Sequence, residues 1–212
     1  MAAPNERRQK LLRRVVDLRQ RNWTVILENV HDQHNLAAVM RSCDAVGIQE
    51  LFLLQTDPGL KEKNIKLGKK TSGGTRKWLD VHYYQDRAAC FEHVRTITDK
   101  VFATHLGESA LSLHDLDFRG SIGLLFGNEH DGVTAETLAY TDGNFLIPMY
   151  GIVESLNISV ACAVSLFEGL RQREAAGQYT NPHTTPEQRE ALYQAYLERH
   201  EHGQPEDLKL YK

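Results

Sequence analysis

Cysteine is scarce in this sequence, and its scarcity excludes two kinds of small stabilised domain. Cys43, Cys90 and Cys162 are the only cysteines among 212 residues, and no two of them have Cys-x-x-Cys spacing. An odd number of isolated cysteines is not typical of a disulfide framework or of a structural zinc site. A chain of this length with 41% hydrophobic residues is instead long enough to bury a core of its own.

Long apolar runs are also absent. A membrane-spanning helix needs about 20 consecutive apolar residues, and no stretch of the sequence comes near that length. The first residues are charged and lack the apolar segment of a secretory signal. We therefore expect a cytoplasmic protein with no membrane partner.

Net charge is low, at −3, but the basic residues are unevenly distributed. Residues 1–21 contain seven Lys and Arg against two acidic residues, and residues 61–77 contain seven against one. The net charges of these two blocks are +5 and +6, so the rest of the chain carries a net charge of −14. Two basic blocks on an acidic body favour a phosphate-binding surface. A solvated helix face together with an exposed loop is the alternative.

Strands alternate with helices along the chain, a pattern that favours an α/β protein with a mainly parallel sheet. Hydrophobic periodicity predicts strands at 23–27, 51–54, 81–84, 101–105, 122–126 and 144–147. It predicts helices at 6–20, 36–46, 87–100, 135–139, 158–176 and 186–200, with a long loop over 55–77. We divide the chain into a basic N-terminal helix (1–22), a central domain (23–178) and a C-terminal helical extension (179–212).

Polar residues open the second predicted helix. Asn35 is a candidate N-cap and Gly47 a stop signal, while Arg41 lies opposite the apolar side of the helix. From these residues alone, Arg41 is a solvated surface side chain. His31 and His34 have a spacing that metal ligands can adopt, but no carboxylate or thiolate set accompanies them. We therefore expect no metal.

A glycine-bracketed loop follows the apolar strand at 122–126. Its sequence, Gly-Asn-Glu-His-Asp-Gly over 127–132, places glycines where a backbone could approach a ligand closely. Ligands of parallel α/β proteins bind at the carboxyl ends of strands, which is where this loop begins. It matches neither a dinucleotide-binding nor a phosphate-loop signature. A plain strand-to-helix turn is the alternative.

A third loop, residues 147–157, joins the last predicted strand to a helix that is apolar almost all round. Such a helix is expected to be buried, and Ser155 or Asn157 can cap it. Eleven residues make a longer connection than is usual. The backbone groups of such a loop need hydrogen-bond partners, and a bound ligand could supply them.

Taken in order, these three segments resemble the three motifs of the SPOUT superfamily of RNA methyltransferases, and within it the SpoU/TrmH branch of ribose 2′-O-methyltransferases. Each motif is weak alone, whereas three in this order are highly specific. The likeness covers about residues 24–182. The matching positions are Asn35 and Arg41 in the first motif, Gly127, Glu129 and Gly132 in the second, and Ile147, Pro148, Met149, Ser155, Leu156, Asn157 and Ser159 in the third.

This resemblance implies an α/β fold whose C-terminal part forms a trefoil knot, and a homodimer in which each active site is completed across the interface. It implies methyl transfer from S-adenosylmethionine to a ribose 2′-hydroxyl, with Arg41 activating or orienting that hydroxyl. Asn35, Glu129, Ser155 and Asn157 would position the reacting groups. The cofactor would lie against Thr104, Leu106, Gly127, Ile147, Met149 and Leu156.

The two ends of the chain resemble those of the tRNA guanosine-2′-O-methyltransferases, which modify guanosine 18 in the D-loop. That resemblance makes tRNA the expected partner. The last predicted helix departs from it, because acidic residues outnumber basic ones there. Ribosomal RNA as the substrate, or a non-catalytic RNA-binding protein of the same fold, are the alternatives. The expected RNA-binding residues are Arg7, Arg8, Arg13, Arg14, Lys69, Lys70, Arg76, Lys77 and Arg171.

Overall fold

A parallel sheet with helices on both faces organises the chain. The computed structural model describes residues 4–57, 59, 74–107, 109–180, 183–202 and 209–211. The strands are β1 (Gln20–Glu28), β2 (Ile48–Leu54), β3 (Asp80–Tyr84), β4 (Lys100–Thr104), β5 (Leu111–Ser112), β6 (Ile122–Phe126), β7 (Gly143–Leu146) and β8 (Lys209–Tyr211). The helices are α1 (Glu6–Asp17), α2 (Gln33–Ala45), α3 (Arg87–Arg95), α4 (Ala135–Leu138), α5 (Ile158–Ala175) and α6 (Pro186–His202).

The strand order is β5-β7-β4-β6-β1-β2-β3-β8, and each of these pairings is parallel. After β1 the chain continues to its neighbour β2, whereas after β6 it continues past β4 to β7, in the opposite direction along the sheet. The loops after β1 and β6 therefore diverge. Such a divergence leaves a crevice at the carboxyl ends of the strands, where α/β proteins bind ligands.

The central strands are buried on both faces, as parallel strands covered by helices generally are. Successive residues of a strand point to opposite faces. Val25 and Leu27 accordingly pack in one hydrophobic cluster with residues of α2 and α5. Ile26, between them, packs in a second cluster with residues of α3, and Leu138 of α4 lies at its margin. The chain thus has three layers, with the sheet in the middle.

Every predicted helix and strand is present, and the prediction of a mainly parallel α/β sheet is confirmed. Several boundaries differ. α1 ends at Asp17 and β1 begins at Gln20, so this strand is longer than predicted. α3 ends at Arg95, five residues early, because a turn over 96–99 leads into β4. The short strands β5 and β8 were not predicted, since two or three residues give no periodic signal.

The predicted N-cap of α2 is wrong. The helix begins at Gln33, and Asp32 is its N-cap, with a side-chain oxygen that accepts a hydrogen bond from the Asn35 backbone nitrogen at 2.8 Å. Aspartate caps as well as asparagine does, so composition alone does not choose between the two positions. The end of the helix is as predicted, since Gly47 follows it with φ of +85°. The consequence is that the amide side chain of Asn35 is free for other contacts.

The expectation that α5 is buried all round is also wrong. Its buried stripe contains Ile158, Cys162 and Leu166, and it packs against α2 and the sheet. Val160, Val164 and Phe167 form an exposed apolar stripe, with 46%, 41% and 52% of their surface accessible. An apolar helix surface is covered only where a neighbouring element lies on it, and this side of α5 faces outward. Across the described ranges, none of the helices is both long and apolar enough to cross a membrane.

Arg19, one of the basic residues counted in the N-terminal block, is buried, with 1% of its surface exposed. It donates hydrogen bonds to the Tyr196 hydroxyl at 2.8 Å and to the Ile48 carbonyl at 2.9 Å, and it pairs with the Asp44 carboxylate at 2.6 Å. These contacts join the turn after α1 to α6, β2 and α2. Arg19 therefore does not contribute to an exposed basic surface.

Replacing Arg19 with methionine removes these donors but keeps an apolar side chain of similar length. We expect the free energy of unfolding to fall by about 3 kcal/mol, because several buried acceptors and one carboxylate lose their partner. Urea denaturation followed by circular dichroism measures the loss. Arg14→Met, at an exposed position of α1, is the control and should change stability by no more than about 0.5 kcal/mol. Equal losses in the two variants would contradict this account of Arg19.

Candidate functional site

Four adjacent strands end at the same crevice. In the order β7-β4-β6-β1, their carboxyl ends lead into residues 147–157, 105–107, 127–132 and 29–32. The register places Thr104 beside Phe145 and Ala103 beside Leu125, so these strands end at similar heights. The sheet therefore brings together the three motif segments, which lie far apart in the sequence, with residues 105–107 beside them.

A short chain of hydrogen bonds joins three of the predicted catalytic residues. The side-chain nitrogen of Asn35 donates to a carboxylate oxygen of Glu129. The side-chain nitrogen of Asn157 donates to the Asn35 side-chain oxygen at 3.1 Å. Asn157 also caps α5, since its side-chain oxygen accepts from the Ser159 backbone nitrogen at 2.9 Å. The two halves of the Asn35 amide thus link α2 to the loop after β6 and to the start of α5.

The other two predicted catalytic residues lie outside this network. Ser155 is exposed in the loop before α5, and Arg41 is exposed on α2. Arg41 lies six residues after Asn35, which is about 9 Å farther along the helix axis. Within the described residues, neither Arg41 nor Ser155 makes a side-chain hydrogen bond or ion pair. A single chain therefore brings together Asn35, Glu129 and Asn157 but leaves the guanidinium of Arg41 in solvent.

The loop after β6 is a tight turn that depends on glycine. The Asn128 side-chain oxygen accepts from the backbone nitrogens of His130 and Asp131 at 2.9 and 2.8 Å. The Gly132 nitrogen donates to the Asn128 carbonyl at 3.1 Å. A Cβ atom added to Gly127 would lie 1.9 Å from the Gly132 carbonyl carbon, which no relaxed structure permits. The turn presents Glu129 at its exposed tip.

Glu28 is a residue of this site that the sequence analysis missed. It is the last residue of β1 and is completely buried. Its carboxylate accepts hydrogen bonds from the Thr134 backbone nitrogen at 2.8 Å, from the Thr134 hydroxyl at 2.7 Å and from the Thr137 hydroxyl. Arg87 lies 3.7 Å away. Glu28 therefore holds the chain in place where the loop at 127–132 ends. The signal in the sequence that could have identified it is a carboxylate at the end of an apolar strand.

The predicted cofactor-binding residues all lie at this edge of the sheet. Gly127 is buried, whereas Leu106 has 74% of its surface exposed. The Thr104 hydroxyl lies 3.4 Å from the Leu125 carbonyl. Ile147, Met149 and Leu156 are half-buried. In the described part of the chain, the backbone of residues 148–156 makes no hydrogen bond with other backbone groups, so its polar groups are open to a ligand.

The predicted RNA-binding residues of α1 fall into two groups. Arg7 and Arg14 are exposed. Arg13 pairs with Glu190 of α6 at 2.7 Å, and its guanidinium lies 3.6 Å from the centre of the Tyr193 ring. Arg8 is half-buried, 5.3 Å from the Trp78 ring centre. Part of this charge is therefore used to hold α1 against its neighbours.

The second basic block is described only in part. Lys69 and Lys70 lie outside the described residues. Arg76 and Lys77 are half-buried in a short 3-10 helix, Thr75–Trp78. The Lys77 ammonium lies 3.4 Å from the His200 carbonyl of α6. The described end of this block thus contacts α6, the helix against which α1 also packs.

Two arginines near the end of α5 have different surroundings. Arg171 is exposed and makes two hydrogen bonds to Glu168, which hold the pKa of that carboxyl below its usual range. Arg171 also lines a surface cavity of about 450 Å³. Arg173 is buried and donates to Asn22 and to the Gly120 carbonyl, and burial lowers its pKa to about 10. Arg173 remains charged at neutral pH and ties α5 to the start of β1.

Comparison with known proteins identifies a family. The SpoU rRNA Methylase family matches residues 22–167, a range that includes the three motif segments. The tRNA (guanosine(18)-2'-O)-methyltransferase of Thermus thermophilus is 41% identical to the chain over 93% of this chain and 97% of that protein.

Two solved structures have the same fold. The crystal structure of the Aquifex aeolicus TrmH/SpoU tRNA modifying enzyme matches with a TM-score of 0.83 and 30% identity, covering 92% of this chain and 97% of that one. The AdoMet-bound rRNA methyltransferase from Sinorhizobium meliloti matches with a TM-score of 0.60 and 25% identity, over 74% of this chain and 59% of that one. On the extent of the family match and the identity to its members, the chain belongs to the SpoU rRNA Methylase family.

Proposed function

We propose that this protein is a tRNA (guanosine-2′-O-)-methyltransferase that uses S-adenosylmethionine and modifies the ribose of guanosine 18 in the D-loop. The observation that carries the proposal is the Asn35–Glu129–Asn157 network, which closes the three motif segments around one crevice. The relatives of this chain include enzymes named tRNA (guanosine(18)-2'-O)-methyltransferase.

The residues of the crevice are suited to hold S-adenosylmethionine. When bound, the cofactor supplies an electrophilic methyl group on a sulfonium. The exposed Leu106 and the half-buried Ile147, Met149 and Leu156 offer apolar surface for it. The backbone of 148–156 offers hydrogen-bonding groups that no other backbone group among the described residues occupies. Gly127 allows its own loop, residues 127–132, to fold tightly, which leaves room for the cofactor between this loop and residues 148–156.

The 2′-hydroxyl of ribose is a weak nucleophile and has to be oriented toward the methyl group. A guanidinium remains protonated in proteins, so Arg41 acts by orientation and charge stabilisation. Its planar fork can bind an RNA phosphate through two hydrogen bonds and hold the adjacent hydroxyl in place. Asn35, Glu129 and Asn157 fix the loops that the substrate meets, and Ser155 lies exposed beside them.

A Gly127→Ala substitution tests the role of the tight loop. The added methyl group forces residues 127–132 apart, and we expect the dissociation constant for S-adenosylmethionine to rise at least about tenfold. Isothermal titration calorimetry measures it. Gly120→Ala is the control, because a Cβ atom there meets nothing within 4 Å. Unchanged cofactor binding by a folded Gly127→Ala protein would refute the assignment of this loop.

The exposed apolar stripe of α5 supports a homodimer. Val160, Val164 and Phe167 recur at the i, i+4 and i+7 positions of one helix face. Ile152 and Val153, in the loop before α5, are also exposed, so the stripe continues toward the crevice. A large exposed apolar patch marks an interaction site. A second copy packed on this face would cover it and could bring its own Arg41 to the network of the first.

Charge placed in the stripe should separate the subunits. Val164→Glu is expected to convert a dimer to a monomer in size-exclusion chromatography with light scattering, because an unpaired carboxylate would be buried at the interface. Methyl transfer should fall with dimer content if each active site needs both chains. Ala135→Glu puts the same charge on an exposed position of α4, on the other side of the sheet, and should leave the dimer intact. A wild-type monomer, or an unaffected Val164→Glu dimer, would contradict this interface.

The basic residues support a tRNA-binding surface beside the cluster in which α1, α6 and Trp78 pack together. Leu12 and Val16 of α1 pack with Tyr193 and Tyr196 of α6, and Trp78 joins the same cluster. Residues of α1 and the described end of the second basic block, residues 74–77, thus lie next to the same helix, α6. The exposed Arg7 and Arg14 would contact phosphates there. Lys69 and Lys70 lie outside the described residues and are proposed as RNA contacts from the sequence alone. Arg171 is less suited to this role because Glu168 compensates its charge.

Three further features belong to this proposal. The C-terminal part is proposed to form a trefoil knot, supported by the position of β7 between β4 and β5 and by the packing of α5 on α2. The three-part division into 1–22, 23–178 and 179–212 is supported by the separate cluster that joins α1 to α6. A cytoplasmic location would suit an enzyme acting on tRNA.

Arg41→Ala is the variant that tests the reaction. We expect methyl incorporation from labelled S-adenosylmethionine into an unmodified tRNA transcript to fall by about 100-fold or more, since a group that stabilises developing charge is lost. Cofactor binding and dimer content should not change, because Arg41 is exposed and no other described side chain depends on it. Lys100→Ala, an exposed change at the opposite end of β4, is the matched control.

Mapping the product separates the candidate functions. Methylation of guanosine 18 would support the proposal, and methylation of ribosomal RNA alone would favour the family's other substrate class. Salt-sensitive tRNA binding without incorporation into any RNA would exclude the enzyme and favour a non-catalytic RNA-binding protein. Full activity in Arg41→Ala would remove Arg41 from the mechanism.

A further inference from the structure

A second cluster of chemically reactive side chains lies away from the crevice. Glu50 of β2, His82 of β3 and His93 of α3 face one another on the side of the sheet that α3 covers. Their ligand atoms all lie within 4.8 Å of one another. His93 is near the end of α3, which returns toward the amino ends of the strands. The cluster therefore takes no part in the crevice at their carboxyl ends.

The distances suit coordination of one small cation. The Nε2 atom of His82 lies 3.1 Å from a carboxylate oxygen of Glu50, and Nε2 of His93 lies 4.0 Å from the same oxygen. Two ligands bound tetrahedrally to zinc at 2.0–2.1 Å would be about 3.4 Å apart. The two observed distances lie on either side of that value. Small side-chain rotations would therefore place a cation at bonding distance from all three atoms.

The surroundings hold the two imidazoles in place. The Tyr84 hydroxyl lies 2.6 Å from Nδ1 of His93. With Nδ1 as the donor, Nε2 carries its lone pair on the side of Glu50, which is how an outer partner orients a metal-binding histidine. The Phe52 ring stacks on His82 at 4.8 Å and meets His93 edge-on at 5.0 Å. Neither ring can turn freely away from the carboxylate.

Burial leaves one side of the cluster open. The side chains of His82, Glu50 and His93 are 3%, 13% and 26% exposed. A cation could reach them past His93, with a water molecule as its fourth ligand. Arg21 carries a competing charge, but its guanidinium lies 3.7 Å from the other oxygen of Glu50. The two oxygens of this carboxylate thus face different partners.

We propose that Glu50, His82 and His93 form a binding site for one divalent cation of the zinc type. Two imidazoles and one carboxylate are a ligand set that zinc sites use with a fourth, exchangeable position. A bound ion would join β2, β3 and α3, and would stabilise this half of the sheet independently of the cofactor crevice. Local spacing could not reveal the site, because its ligands come from three separate elements.

Titration of the full chain with Zn²⁺ tests the proposal. The protein is prepared without a histidine tag and dialysed against a chelator. We expect one zinc ion to bind, with a rise in melting temperature of about 5 °C at a free zinc concentration 100 times the dissociation constant. Cobalt(II) in place of zinc should give the visible absorption of a four-coordinate site. Both signals should weaken as the pH falls, because the imidazoles must be deprotonated to bind.

Variants locate the binding event. His93→Gln removes a partly exposed ligand, and Glu50→Gln removes the carboxylate charge. Each should weaken zinc binding at least about tenfold and abolish the rise in melting temperature, while Tyr84→Phe should have a smaller effect in the same direction. His114→Gln, at an exposed histidine outside the cluster, is the control and should bind as the wild type does.

The outcomes are distinguishable. Equal zinc binding by wild type and by His93→Gln, or binding without any change in melting temperature, would overturn the site and leave His82 and Glu50 as an ion pair only. Circular dichroism and methyl transfer by metal-free His93→Gln establish that the variant is folded. A selective loss in the Glu50 and His93 variants, with His114→Gln unaffected, supports the site.

Discussion

The site depends on one side-chain amide, that of Asn35. Its nitrogen donates to Glu129 and its oxygen accepts from Asn157, so a single group holds the glycine loop, α2 and the start of α5 together. A carboxylate has no donor and an ammonium has no acceptor, so neither could make both contacts. The arrangement also requires that another residue cap α2. Asp32 does so, and the amide one turn into the helix is thereby available.

Buried charged groups hold the elements on which this amide depends. Glu28 accepts from Thr134 and Thr137 where the loop at 127–132 ends, whereas Arg173 ties the far end of α5 to the start of β1, away from the crevice. Burying a charge costs free energy unless it is hydrogen-bonded, and loss of a partner then costs more than the bond itself contributes. Such groups therefore favour one loop arrangement strongly over others. The binding loops can remain open to a ligand because their ends are held in this way.

Sequence patterns predicted most of the fold, whereas the candidate site residues came from the family resemblance, and neither source predicted the contacts between them. The strands β1 to β4, β6 and β7 were found because buried parallel strands are continuous apolar runs. The cap of α2 was misassigned because Asp32 and Asn35 have similar capping preference. The exposed side of α5 was not predicted, because an apolar composition does not determine which face of a helix a neighbouring element covers. The contacts of Glu28, and the meeting of Glu50 with His82 and His93, join residues far apart in the sequence and need the sheet register to be seen.

One chain contains the network but not all of the chemistry assigned to it. Arg41 points to solvent from the same helix that supplies Asn35, and the two side chains leave that helix in different directions. A guanidinium in open water is a weak and poorly oriented donor, because water competes for every hydrogen bond. Covering the α5 stripe with a second copy would exclude water from this region and supply the missing group at once. On this proposal, dimer formation and catalysis would be one property of the fold, since the exposed apolar face of α5 that would drive association directly follows the loop that leads into the crevice.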